Sequence, residues 1–296
     1  MTALRFALFT ICLGALSLKA DPSQFWGNTK LATDSKDDLY LLQIFALGQI
    51  PENTNDEEII ALINHGFAVG YSDERRNPLW AIYKASGTSA GEITRSNRSE
   101  FFPRDLRTES KVHGQTFGGG MDRGHMVPNA VIGNQYGSLA QMETFLMSNI
   151  CPQDGNLNRG AWMRLEGWIR DLADEKEHVF VIVGPIFDEN IEFVEKGSER
   201  QIQIPDAFYL IIVDTDREYT LDFEGGRIPS VEMISYIFPQ DVARNANFTD
   251  REAFGASVDD IEAKTGLNFF PHAESVAGQK WTRLEAEKVT RHWPVN

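Results

Sequence analysis

The chain has 296 residues, 42% hydrophobic and 24% charged, which excludes a disordered body and supplies ample apolar material for a core. Its net charge of −15 argues against a protein that coats nucleic acid broadly or binds anionic membranes, although basic residues can still cluster locally. Of the two cysteines, Cys12 lies in a leader-like segment, so Cys151 alone remains and no internal disulfide is expected.

Residues 1–20 read as a secretory signal peptide. Arg5 precedes an apolar run from Phe6 to Leu16, and Lys19-Ala20 closes it. That run is short for a transmembrane helix, and no other segment is long and apolar enough to be one. Cleavage after Ala20 removes two positive charges, Arg5 and Lys19, and takes the net charge from −15 to −17. The expected location is periplasmic or secreted, with no membrane partner.

Residues 21–64 read as an N-terminal helical extension. "DDLYLLQIFALGQI" has helical composition, as does "TNDEEIIALINHG", which Thr54 or Asn55 could cap with Asp56, Glu57 and Glu58 in the first turn. "GFAVGYS" and "PLWAIYKAS" read as strands joined by the polar turn "DERRN". Residues 86–120 look irregular. "DRGH" is followed by an expected loop, and a strong helical pattern runs from about Leu157 to Glu177. On that helix Trp162, Leu165, Trp168, Ile169 and Leu172 form one apolar stripe. Buried-strand candidates follow in "HVFVIVGPIF" and "AFYLIIVDT", then the apolar "VEMISYIFP" and a short capped helix in "SVDDIEAKTGLNFF" stopped by Gly266. Hairpin-like strands with separate helices predict an α+β domain over 65–275 rather than strict βαβ alternation, with a tail at 276–296.

"FGGGMDRGHMVPNA" concentrates chemistry. His125 is a general-base type of residue near neutral pH. Arg123 stays protonated and can hold phosphate or carboxylate oxygens; its charge would lower the pKa of His125. The same residues also suit an Asp122-anchored structural turn, and local composition leaves both readings open. Asn158 opens the helical stripe, with Glu166 and Arg170 four apart on its flank. They suit either a capping asparagine and a surface ion pair or a hard-cation site with an oxygen ligand. The histidines lack zinc-site spacing, and no P-loop or dinucleotide fingerprint occurs. Cys151, in "SNICPQ", suits a quiet structural role.

Taken together, "MDRGHMVPNA", "SNICPQDGNLNRGAWMRLEGWIR" and "SVDDIEAKTGLNFF" resemble the DNA/RNA non-specific endonucleases, the secreted bacterial nuclease and endonuclease G family. "YSDERRNPLWAIY" and "RSEFFPRD" extend the likeness to roughly Gly66–Phe270. The resemblance implies a ββα-metal (His-Me finger) core with a mixed or antiparallel sheet and packed helices. It implies His125 as general base and Asn158 as the one direct protein ligand of Mg²⁺, with Mn²⁺ as a substitute. Glu166 would hold water on the cation, and Arg123 and Arg170 would lie near the phosphate. An upstream arginine, Arg98 or alternatively Arg95, would join them, with Asp122 and Asn149 as supports. DNA and RNA are the implied substrates, cut without sequence preference to leave 5′-phosphates, and a homodimer is left open. Two rivals remain at this level. One is a phosphodiesterase for small nucleotides, which the acidic balance favours, and the other is a non-catalytic binding module of the same fold.

Overall fold

In "HVFVIVGPI" and "AFYLIIVDT" nearly every side chain is apolar, which requires strands covered on both faces. The computed structural model provides that cover. It describes residues 29–31, 50–87, 101–117, 120–188, 191–196, 199–215, 231–271, 279–288 and 293. The signal peptide expected at 1–20, the helical stretch expected up to residue 49, and Arg95 and Arg98 lie outside the described residues.

In chain order the strands begin with β1 (Thr29–Leu31), β2 (Glu52–Asn53), β3 (Ile59–Asn64), β4 (Phe67–Ser72) and β5 (Asn77–Ser86). Next come β6 (Asp122–His125), helix α1 (Asn129–Glu143), β7 (Ile150–Gln153), helix α2 (Met163–Lys176) and β8 (His178–Ile186). The remainder comprises β9 (Glu192–Lys196), β10 (Glu199–Ile204), β11 (Ala207–Thr215), β12 (Val231–Pro239), α3 (Arg251–Phe254), β13 (Gly255–Ala256), α4 (Val258–Thr265), β14 (Leu267–Asn268) and α5 (Gln279–Ala286). An eight-stranded sheet runs β1-β3-β4-β5-β8-β11-β12-β13, antiparallel throughout except where β1 meets β3. This is an α+β architecture. Among the described residues no helix is long and apolar enough to cross a membrane.

Alternation sorts the core into two layers. Tyr83, Val181, Val183, Phe208 and Leu210 face α2, meeting its stripe of Trp162, Leu165, Trp168, Ile169 and Leu172. Trp80, Ile82, Phe180, Ile182, Tyr209 and Ile211 face the other way, against Ile261 of α4 and the pair Phe269–Phe270. The capped helix expected in "SVDDIEAKTG" is present. Ser257 and Asp260 close a capping box, and Gly266 ends α4 at φ 66°.

Two expectations are corrected. The helix expected over 54–64 is a strand from Ile59 on, because β-branched Ile59, Ile60 and Ile63 pair with β4 in a hairpin turned at Gly66. The acidic run before it is a turn. Thr54 N and Oγ1 donate to Gly266 O, and Glu57 accepts from Ser72 and Arg75 rather than lining a helix N-terminus. The loop expected after "DRGH" is α1, because Pro128 sits at the helix N-cap, where its missing N–H removes no helical bond.

The irregular stretch 101–117 is tied to the end of β3 by Arg107, which is also paired with buried Asp105. Arg107 Nε and Nη2 donate to Asp105 at 3.0 and 2.7 Å, and Arg107 Nη1 reaches Ile63 O at 2.8 Å. Ser148 Oγ donates to the same carboxylate at 2.7 Å. Burial pushes the Asp105 carboxyl up, but the hydrogen bonds and charge of Arg107, with Ser148, outweigh it and hold it below the usual value. The folded state therefore binds this proton less readily than the unfolded chain. Its stabilisation is complete above pH ~4 and is lost as pH falls through the lowered folded pKa. Asp105→Asn should cost about 3 kcal/mol at pH 7 in urea denaturation. The gap to wild type should close as the pH is lowered, and a gap independent of pH would contradict the assignment.

Candidate functional site

β6 and β7 form a short antiparallel ladder in which Asp122, Arg123, Gly124 and His125 face Gln153, Pro152, Cys151 and Ile150. A side chain at position 124 would strike the buried Gln153, whose Cβ would lie at 2.8 Å, so the close pairing needs glycine. Strand alternation puts Arg123 and His125 on one face and Asp122 on the other. Cys151 is fully buried, and burial pushes its thiol well above the usual value, consistent with a structural role.

His125 is 8% exposed and sits between two rings. Phe145 meets it edge-on at 5.0 Å and Phe102 lies tilted at 5.6 Å. Phe102 also carries the Arg123 guanidinium 4.6 Å above its ring, and Arg123 Nη1 donates to Gly114 O at 3.2 Å. Loop 101–117 thus braces both residues. The chain leaving His125 is clamped by Asn149. Val127 N donates to Asn149 Oδ1 at 3.0 Å, and Asn149 Nδ2 donates to Val127 O and Thr144 O at 3.1 and 2.9 Å.

Beyond β7, Asp154 caps the next turn by accepting from Asn156 N at 2.7 Å, so Asn158 is not the capping residue. Asn158–Trp162 form a wide π-type turn that leads into α2. Asn158 Nδ2 donates to Asp122 Oδ2 at 2.9 Å. An amide held by its nitrogen is also fixed at its oxygen, so Asn158 Oδ1 is presented away from Asp122 and accepts from no described residue. Arg159 reaches back to the same carboxylate as a fork, Nε to Oδ2 at 2.8 Å and Nη2 to Oδ1 at 3.2 Å.

The wide turn shifts the phase of α2 relative to Asn158. The segment departs from helical geometry at Gly160, so the positions of Asn158 and of α2 are set independently. Glu166 and exposed Arg170 stand one turn apart on α2. Glu166 is half-buried; its charge adds to the burial that raises the Tyr83 phenol. Among the described residues no cluster of three or more His, Cys, Asp or Glu could hold a metal. A neutral amide oxygen with no donor among the described residues fits a hard cation that keeps most of its water, which is the donor set expected for Mg²⁺.

The fold brings Asp122, Arg123, His125 and Asn149 together on the β6–β7 unit and joins Asn158 to them. Glu166 and Arg170 lie further along the same helix. Arg159, Phe102 and Phe145 are additions. Arg159 occupies the unassigned position beside Asn158, and the paired aromatics in "FFP" gave the only hint of Phe102.

Residues 48–275 match the model of the DNA/RNA non-specific endonuclease family. The chain is 28% identical over 221 residues to the mitochondrial nuclease EXOG of Homo sapiens, covering 71% of this chain and 56% of that protein. It is 27% identical over 226 residues to the mitochondrial endonuclease G of Bos taurus, covering 72% and 69%. It is 25% identical over 221 residues to a nuclease of Serratia marcescens, covering 72% and 76%. The chain thus spans just over half the length of the human EXOG relative.

Asn149→Ala leaves Val127 N, Val127 O and Thr144 O without their buried partner. It should lower the unfolding free energy by about 2–4 kcal/mol in urea titrations. A change below about 0.5 kcal/mol would mean that the clamp is dispensable.

Proposed function

Because the chain belongs to the DNA/RNA non-specific endonuclease family, we propose that it is a Mg²⁺-dependent endonuclease hydrolysing phosphodiester bonds in DNA and RNA on a ββα-metal core. The observation that carries this reading is the Asp122–Asn158 hydrogen bond. It ties the helix turn bearing the cation-binding candidate to the strand bearing the candidate base. The names of the relatives, nuclease and endonuclease G among them, support the same activity.

In this reading His125 accepts a proton from a water molecule, held by its two aromatic neighbours in an orientation it need not find at each turnover. The water oxygen attacks phosphorus in line, the bond to the 3′-oxygen breaks, and the 5′-phosphate stays with the downstream product. Arg123, with donors to spare beyond Gly114, binds non-bridging oxygens as their charge grows. Arg170 and, outside the described residues, Arg98 or Arg95 extend that grip. Asn158 would hold Mg²⁺ or Mn²⁺ with Glu166 supporting its water, and the cation supplies positive charge to the phosphate and leaving oxygen. Contacts to phosphate alone carry no base information, so cleavage is non-specific. The leader-like residues 1–20 support action outside the cytoplasm.

Digestion of plasmid DNA and of RNA with Mg²⁺, and with EDTA, tests the reading. Cleavage should stop in EDTA. His125→Ala should lower kcat about 10²–10⁴-fold in a chain that still unfolds cooperatively above the assay temperature, and Asn158→Ala should show a comparable loss. Wild-type turnover in either variant would overturn the mechanism. Hydrolysis of dinucleotides without cleavage of long duplexes would assign the protein to the small-diester phosphodiesterases instead.

A further inference from the structure

The Asp122 carboxylate is 24% exposed and is hydrogen-bonded to Asn158, the residue that, if the protein is a nuclease, would hold the cation on which a phosphate diester docks. Its Oδ2 lies 2.9 Å from Asn158 Nδ2, and the nitrogen and oxygen of one amide are only about 2.2 Å apart. The negative charge thus stands within about 5 Å of the Asn158 carbonyl oxygen. At such range an uncompensated carboxylate repels a phosphate strongly and attracts a cation into its own coordination shell. In a protein already at −15 no distant surplus of positive charge offsets this.

Arg159 removes the problem locally. Its fork occupies both oxygens of Asp122, and together with Asn158 it gives Oδ2 two donors and Oδ1 one. The guanidinium lies against Gly155, where any side chain would collide with Nη2, so the start of the helical segment leaves room for this rotamer. The arginine is 60% exposed and the carboxylate 24%, so the pair neutralises a charge that stands beside Asn158. We propose that Arg159 is a positioning residue whose task is to mask Asp122: it reserves that carboxylate for orienting Asn158, keeps it from ligating the cation, and lets the phosphate backbone of nucleic acid approach. The assignment rests on the nuclease reading and adds to it a residue that the general-base scheme does not use.

A direct phosphate contact by Arg159 is the competing use, and charge bookkeeping separates the two. If Arg159 only masks Asp122, removing both charges returns binding to the wild-type level; if it grips phosphate itself, the double variant stays short of that level by the lost contact. Binding of a fluorescent DNA duplex in EDTA, read by anisotropy without turnover, should weaken about 3- to 10-fold in R159Q. In D122N/R159Q, whose substituted amide still offers an acceptor oxygen to Asn158, binding should recover to within about twofold of wild type. Mn²⁺ binding to R159Q, measured by electron paramagnetic resonance, should be as tight as in wild type or tighter, because the uncovered carboxylate attracts the cation. Unchanged duplex binding in R159Q, no recovery in the double variant, or weaker Mn²⁺ binding would each overturn the proposal. A wild-type protein that cleaves no nucleic acid in Mg²⁺ would instead overturn the nuclease reading beneath it.

Discussion

In the ladder between β6 and β7, His125 faces Ile150 and Gly124 faces Cys151, so four residue pairs set the position of the histidine relative to the helix beyond β7. A two-stranded ladder of this length is not stable alone in water. It persists because amide side chains from outside it bond the backbone at and beside its two ends. Asn149 uses its whole side-chain amide on Val127 and Thr144. At the far end Gln240 donates to Pro152 O and Pro205 O and accepts from Asp154 N, joining β7 to the ends of β12 and β10. The large sheet supplies rigidity; these two amide side chains pass it on to the site.

The acidic balance and the proposed substrate conflict only if charge is averaged over the molecule. At physiological ionic strength screening acts over about 8 Å, so the phosphate responds mainly to the charges beside it. Two carboxylates in this region are paired: Asp122 by Arg159, and Asp105, in the loop that carries Phe102, by Arg107. Arg123 lies over an aromatic ring, which holds a cation without cancelling its charge as a carboxylate would. The remaining acidic groups favour solubility and slow the approach of a polyanion more than they weaken its final contacts.

Much of the fold is legible in the sequence. The double-sided strands, the α2 stripe and the capping box of α4 are written in local periodicity and in single residues such as Ser257 and Gly266, which act over one turn. The strand Ile59–Asn64 is not, because an acidic run before "IIALIN" looks the same whether it caps a helix or forms a turn. Only its pairing with Phe67–Ser72 decides. Helix α1 is obscured by a proline, a residue that breaks helices from within yet is suited to their start. For the site, residue types leave His125 and Asn158 open and only the family resemblance singles them out, while their connection through Asp122 across 36 positions can be seen only in space.

The wide turn at Asn158–Trp162 shows how the site and the core make opposing demands on one helix. The core needs Trp162, Leu165, Trp168 and Leu172 at α-helical spacing against the sheet. A catalytic reading needs Asn158 and Glu166 on one side, which eight residues of uninterrupted α-helix do not give. The break at Gly160 separates the two demands, since α2 keeps its regular stripe while Asn158 is positioned independently of it. Gly160 holds non-helical φ −118° and ψ −107° inside this turn. It is retained by contacts from outside the helix: the Arg244 backbone lies where a Gly160 side chain would stand, and Arg164 donates to Arg244 O and Ala246 O at 3.1 and 2.6 Å. The segment after β12 therefore fixes the rotation of Asn158, although none of its residues is near enough in sequence to suggest it.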